Sequence, residues 1–287
     1  MEPKRKRKRI MKHTLIISFM AAMILLAING ITQASDTAAS GRKISNAYQN
    51  AVVKVETVAQ VKILMNGSEM QNREFKNEIT GTVIDPSGLA LVSLTAIDPS
   101  RFVDHLMRGT GEEMKMEVKI DLKGVKIILP DSTELDAKVV LRDRDLDMAF
   151  IRPTKKPAKP MVAVNLSHRA NPDVMDEMIV LGRLSKVASY APSVLSARIA
   201  AVVHKPHTFY IPQMEGGDMG DIGTPAFTRD GQPVGVILIR ILASEGASNL
   251  GAMMGNAGAM GITAVIMPAD VILEASKQVA DKPAAKE

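Results

Sequence analysis

From Ala51 onward, short apolar runs rich in β-branched residues recur between turn residues: AVVKVETVAQVKIL, ITGTVI, LALVSL, VKIIL, AKVVL, MAFI, MIVLG, SARIAAVV, PAFT, PVGVILIRI and ITAVIM. Runs of this length, apolar either continuously or at every second position, predict β-strands, about a dozen of them. Asp85-Pro86-Ser87-Gly88, Pro130-Asp131-Ser132 and Arg229-Asp230-Gly231-Gln232 read as hairpin turns, so the strands are expected to pair antiparallel. Helical spacing is clear only at the end. There Pro268 opens ADVILEASKQVA, with Val271, Ile272, Ala275 and Val279 on one face. A stiff, charged connector, Thr154 to Pro160, lies near the middle and divides the chain into two β units, 51–155 and 156–279. No repeat with a period of about 20 to 50 residues is visible, which disfavours a propeller or a solenoid.

Ahead of these runs the pattern is different. The cationic stretch Lys4 to Arg9 precedes an apolar run, Thr14 to Ile28, followed by Asn29-Gly30 and the small-residue site Thr32-Gln33-Ala34. This is the order of a signal peptide, with cleavage expected after Ala34; the run falls short of the ~20 residues of a permanent span, and a retained anchor is the other reading. Residues 35–50 read as a linker and 280–287 as a tail. An exported, periplasmic or envelope location is expected.

Composition narrows the partners. The 287 residues carry 36 basic and 31 acidic side chains, but seven of the basic and one of the acidic lie in the leader. The rest of the chain is therefore close to neutral, with 29 basic against 30 acidic residues. Without a basic body, without Trp, and with only 3 Tyr and 6 Phe, it lacks the phosphate footprint and the stacking platform of a nucleic-acid binder. The absence of cysteine rules out a disulfide scaffold and thiolate metal or redox sites. No cofactor is expected.

Three phrases resemble one family: Gly81 to Asp98 (GTVIDPSGLALVSLTAID), Val125 to Pro153, and Gly220 to Ile239 (GDIGTPAFTRDGQPVGVILI). They look like the three catalytic-motif regions of trypsin-like serine proteases of the HtrA/Deg type, in the family's order and spacing. The resemblance implies an all-β fold of two six-stranded antiparallel barrels with a cleft between them and a C-terminal helix. Only a short tail follows the final helix, so the peptide-binding PDZ module common in the family is expected to be absent.

The chemistry departs from the family pattern. Hydrolysis needs a hydroxyl nucleophile, an imidazole base and an orienting carboxylate. On this resemblance Thr95 falls at the histidine, Asp147 at the carboxylate and Ile222 at the nucleophile. Threonine is no base near neutral pH, and isoleucine has no nucleophilic atom. A remnant oxyanion hole, from the backbone N–H groups of Gly220 and Ile222, is what the resemblance would leave. Asp147 is expected to find structural donors, from backbone N–H groups or the Thr95 hydroxyl. Thr224 is the hydroxyl nearest the lost serine, and it reads as turn filling. None of His105, His168, His204 and His207 lies within a few residues of a triad position. His204 and His207 lack a nearby third ligand, so they read as surface residues and no metal site is expected.

Two segments are long and Met-rich. Asp98 to Glu117 includes Met107 and is expected to hold a short amphipathic helix from Pro99 to Met107, and Ser244 to Gly261 carries Met253 and Met254. Plain packing, an adaptable partner surface and Cu(I) ligation all fit methionine there. The resulting expectation is an exported pseudoprotease that binds peptide or protein partners in the inter-barrel cleft, with Ile222, Thr224, Met107, Met253 and Met254 as candidate contacts. Ile222 has a second reading, as a plug in a collapsed cleft. The alternative function is an active serine endopeptidase of envelope protein quality control.

Overall fold

The computed structural model describes residues 36–100, 103, 116–214, 221–241 and 262–281. The expected leader 1–34, the bulk of the expected Pro99–Met107 helix, Met107, Gly220, Met253 and Met254 lie outside them. Among the described residues no helix is long and apolar enough to cross a membrane.

Twelve strands close into two antiparallel barrels. The first holds β1 (Val52–Met65), β2 (Ser68–Asp85), β3 (Leu89–Ser93), β4 (Met116–Ile128), β5 (Glu134–Asp143) and β6 (Met148–Pro153), in the spatial order β1-β2-β3-β6-β5-β4. The second holds β7 (Glu177–Arg183), β8 (Pro192–Val203), β9 (Phe209–Met214), β10 (Pro225–Thr228), β11 (Pro233–Ile241) and β12 (Ile262–Pro268), ordered β10-β11-β12-β9-β8-β7. The expected all-β, two-barrel architecture is thus present, and the last strand runs into a C-terminal helix.

The turns form where short polar side chains hold the backbone. Asp85 Oδ1 accepts the Ser87 N–H at 2.8 Å and closes the β2–β3 turn, and Asp131 Oδ1 does the same for Thr133 at 3.0 Å between β4 and β5. One hairpin was not singled out from the sequence. Asn66 and Gly67, both at positive φ (49° and 81°), join β1 to β2 in the type of turn that Asn-Gly favours.

Each barrel has its own core, and a third apolar cluster welds them together. Val53, Val83, Val92, Ile127 and Ile151 fill the first, and Met178, Ile199, Ile237 and Ile266 the second. The shared cluster takes Leu91 and Phe150 from one barrel, Phe227, Leu238 and Met267 from the other, and Ile272, Ala275 and Val279 from the C-terminal helix (Ala269–Asp281). The chain that follows the mid-chain connector packs back onto the first barrel. Val164, fully buried, donates its N–H to the Val83 carbonyl at 2.9 Å and straps the segment to β2.

The segment expected as a linker, 35–50, is a correction. Residues 36–48 form helix α1, followed by a 3-10 turn, Gln49–Ala51. Ile44 is buried in the shared cluster, and the Tyr48 ring stacks on Phe227 with centroids 4.9 Å apart. Only two apolar side chains anchor this helix, too thin a stripe to signal it by periodicity.

Candidate functional site

The three expected triad positions, Thr95, Asp147 and Ile222, sit at the joint between the barrels. Strand β3 ends at Ser93, whose extended backbone (φ −68°, ψ 130°) and side-chain oxygen, accepting the Ala96 N–H, cap the single-turn helix α2 (Leu94–Ile97). Thr95 is the second residue of that turn, and the neighbouring Ala96 offers no imidazole either. Asp147 precedes β6 at φ 56°, a left-handed conformation that aspartate tolerates, and its carbonyl accepts the Leu94 N–H at 2.9 Å.

The Asp147 carboxylate is 8% exposed and well supplied with donors. Oδ2 accepts the Ser93 hydroxyl at 2.6 Å and the Ile239 N–H of β11 at 3.0 Å, and Oδ1 accepts the Thr95 N–H at 2.7 Å. Burial pushes its pKa above the usual carboxylate range, against the opposing pull of the Ser93, Thr95 and Ile239 donors. Two of these donors are backbone N–H groups, those of Thr95 and Ile239. The principal hydroxyl is Ser93, which sequence reasoning passed over; a serine just ahead of a helical turn was the available cap signal. Because Ile239 belongs to the other barrel, Asp147 is a polar staple across the joint.

Around the nucleophile position the backbone is pinned from both sides. The Gly223 N–H donates to the Ile237 carbonyl at 2.7 Å, and its own carbonyl accepts the Thr82 hydroxyl of β2 at 2.7 Å. Gly223 has φ 92°, and an added Cβ would sit 2.0 Å from the Thr80 carbonyl oxygen, so only glycine lets the loop approach the first barrel this closely.

Two candidate contacts are corrected here. Ile222 is 6% exposed and packs in the second barrel's core with Met178, Val180, Ile199 and Ile237, and Thr224 is fully buried with its hydroxyl donated to the Asp221 carbonyl at 2.5 Å. Neither is presented to a ligand. A branched aliphatic side chain gains more from the barrel interior than from a solvated cleft floor, about 1.5–3 kcal/mol for complete burial. Of the remnant oxyanion pair, Gly220 lies outside the described residues.

The described histidines stand apart from this joint. His168, His204 and His207 are exposed, with His168 paired to the Asn165 amide at 3.0 Å. Among the described residues no group of three or more His, Asp or Glu side chains could hold a metal ion. The apolar pocket beside α2 was not foreseen. It has a volume of about 240 Å³ and is lined by Val61, Ile63, Phe75, Ile97, Val118 and Ile120, where β1, β2 and β4 project past the barrel as one sheet.

Two closed six-stranded antiparallel barrels, with the expected triad positions at their joint, define a protein of the chymotrypsin-type fold. The model of the trypsin-like peptidase domain family matches residues 79–236, more than half of the chain and inclusive of Thr95, Asp147 and Ile222; the chain belongs to that family. No curated protein matches it.

Proposed function

We propose that this chain is an exported pseudoprotease of the HtrA/Deg kind, which binds peptide or protein partners at its inter-barrel cleft without cutting them. One observation carries the reading. The carboxylate that would orient a catalytic imidazole spends its oxygens on Ser93, Thr95 and Ile239, with Thr95 at the position of the base and Ile222 turned into the barrel core. Losing base and nucleophile together leaves only the residual catalysis of binding and of any oxyanion hole, orders of magnitude below normal turnover. Partner binding needs neither group, since a trypsin-like cleft holds its ligand as an extended strand by backbone hydrogen bonds. With Ile222 and Thr224 buried, Met107, Met253 and Met254 remain the candidate contacts by their chemistry, since a flexible thioether side chain adapts to varied apolar partners.

The test is made on the full chain expressed with its leader and recovered from the envelope. Its intact mass lacks residues 1–34, a fluorophosphonate probe leaves it unlabelled, and casein stays uncut after rigorous purification. Labelling that tracks the purified protein overturns the reading in favour of an active endopeptidase.

A further inference from the structure

Among the described residues, the sheet that projects past the first barrel leaves one long edge unpaired. Strand β2 spans Ser68–Asp85, yet β3 pairs only with Thr82, Val83 and Asp85. Among the described residues, 68–81 of β2 pair with β1 alone. Outward backbone N–H and C=O groups along such an edge are a template for another strand. The sheet behind it is two-sided. Ala59, Val61, Ile63, Phe75, Ile120 and Val118 share one face, and the other carries Gln60, Lys62, Asn72, Glu74 and Lys76.

We propose that two copies of this chain join along the outer edge of β2, antiparallel and about a two-fold axis through Phe75, into one continuous six-stranded sheet. The occupant of the edge is a second copy because the charges select it. With Phe75 opposite Phe75, Glu74 of each copy faces Lys76 of the other, and both residues are exposed and in no salt bridge among the described residues. The further pairs in that register, Arg73 with Asn77, Asn72 with Glu78, Gln71 with Ile79, Met70 with Thr80 and Glu69 with Gly81, bring no like charges together. Neighbouring symmetric registers do: centring on Glu74 sets it against its own copy, centring on Lys76 does the same for lysine, and centring on Arg73 for arginine. Like charges directly opposite destabilise a strand pair and opposite charges support it, so the Phe75-centred register is favoured over these three, and the Asn77-centred one, which pairs Lys76 with Glu78, is told from it by the Phe75→Cys crosslink described below. A two-fold axis normal to the sheet keeps each face on its own side. The half-exposed Phe75 (49%) then stacks on its copy, and the two apolar pockets come to lie side by side.

The absence of cysteine makes the test clean. Under mild oxidation, Phe75→Cys gives a disulfide-linked dimer on a non-reducing gel. Met70→Cys, more exposed at 64% but opposite Thr80 in this register, stays monomeric. In sedimentation equilibrium of the otherwise native protein, Lys76→Glu raises the dimer dissociation constant about tenfold or more, and Glu74→Lys with Lys76→Glu restores it to within about threefold. Equal crosslinking of both cysteine variants, no crosslinking of either, a monomer at every concentration, or a charge swap that fails to rescue each overturns the proposal.

Discussion

Asp147 gathers three buried donors, two of them backbone N–H groups on separate barrels, so its substitution tests the joint residue by residue. Each buried donor left without an acceptor costs about 1–3 kcal/mol, and alanine is strained at φ 56°. Asp147→Ala is expected to lose about 3 kcal/mol or more in chemical denaturation. Asp147→Asn loses less, because one amide oxygen still accepts and asparagine tolerates positive φ. The pH dependence has a definite sign. Burial raises the folded-state pKa, so between the unfolded value, about 3.9, and the folded one the native state binds the proton and the unfolded chain does not. The stability contributed by this ionisation is therefore greatest below pH ~3.9, declines as pH rises through the folded pKa, and is flat above it. Wild-type stability relative to Asp147→Asn should narrow over that interval; a gap that widens with rising pH contradicts the assignment. Ile222 makes a complementary case. Truncating a buried isoleucine costs about 2–5 kcal/mol, so Ile222→Ser should lower the denaturation midpoint strongly while leaving the protein unlabelled by fluorophosphonate, since Thr95, at the expected position of the base, is no base for the new hydroxyl. A variant that keeps its stability would mean that the side chain faces open solvent.

At the level of elements, the barrels are fastened where β7 ends. Arg183 is buried and donates Nε–H to the Val52 carbonyl of β1 at 2.6 Å, Nη1–H to the Tyr190 carbonyl at 2.6 Å, and Nη2–H to the Gln49 carbonyl in the 3-10 turn after α1. Burial draws its pKa down, and the planar fork of donors satisfies three carbonyls that one ammonium group cannot span. Arg183→Lys is accordingly expected to cost about 2–4 kcal/mol, read from the urea midpoint with an unchanged slope, as two or more carbonyls lose their partner. A loss under about 0.5 kcal/mol, typical of surface substitutions, would remove this arginine from the set of staples. The same contacts give α1 its role: with Ile44 in the shared cluster and Tyr48 on Phe227, the helix closes one side of the joint before the first strand begins.

For the whole molecule, local signals and long-range packing divided the information between them. The strands, the turns at Asp85–Gly88, Pro130–Ser132 and Arg229–Gln232, and the apolar face of the C-terminal helix were legible because period-two alternation, short polar turn residues and 3.6-residue spacing each act over a few residues. Asn66-Gly67 carried an equally local signal that was passed over. At the expected triad positions the sequence supplies Thr95 and Ile222, neither of which carries a basic or nucleophilic group, and the proposed inertness rests on that placement. Helix α1 was hidden, because its two anchoring side chains find their partners on a barrel well over a hundred residues away in sequence. The sequence by itself thus determined which side chains, turns and strand-forming runs were on hand. Only the tertiary structure decided that Ile222 turns inward, that Asp147 meets Ile239 92 residues away, and that Arg183 reaches Val52 131 residues away. The direction of a side chain and the partner of a buried polar group follow from closing both barrels at once, and that closure is a property of no local segment.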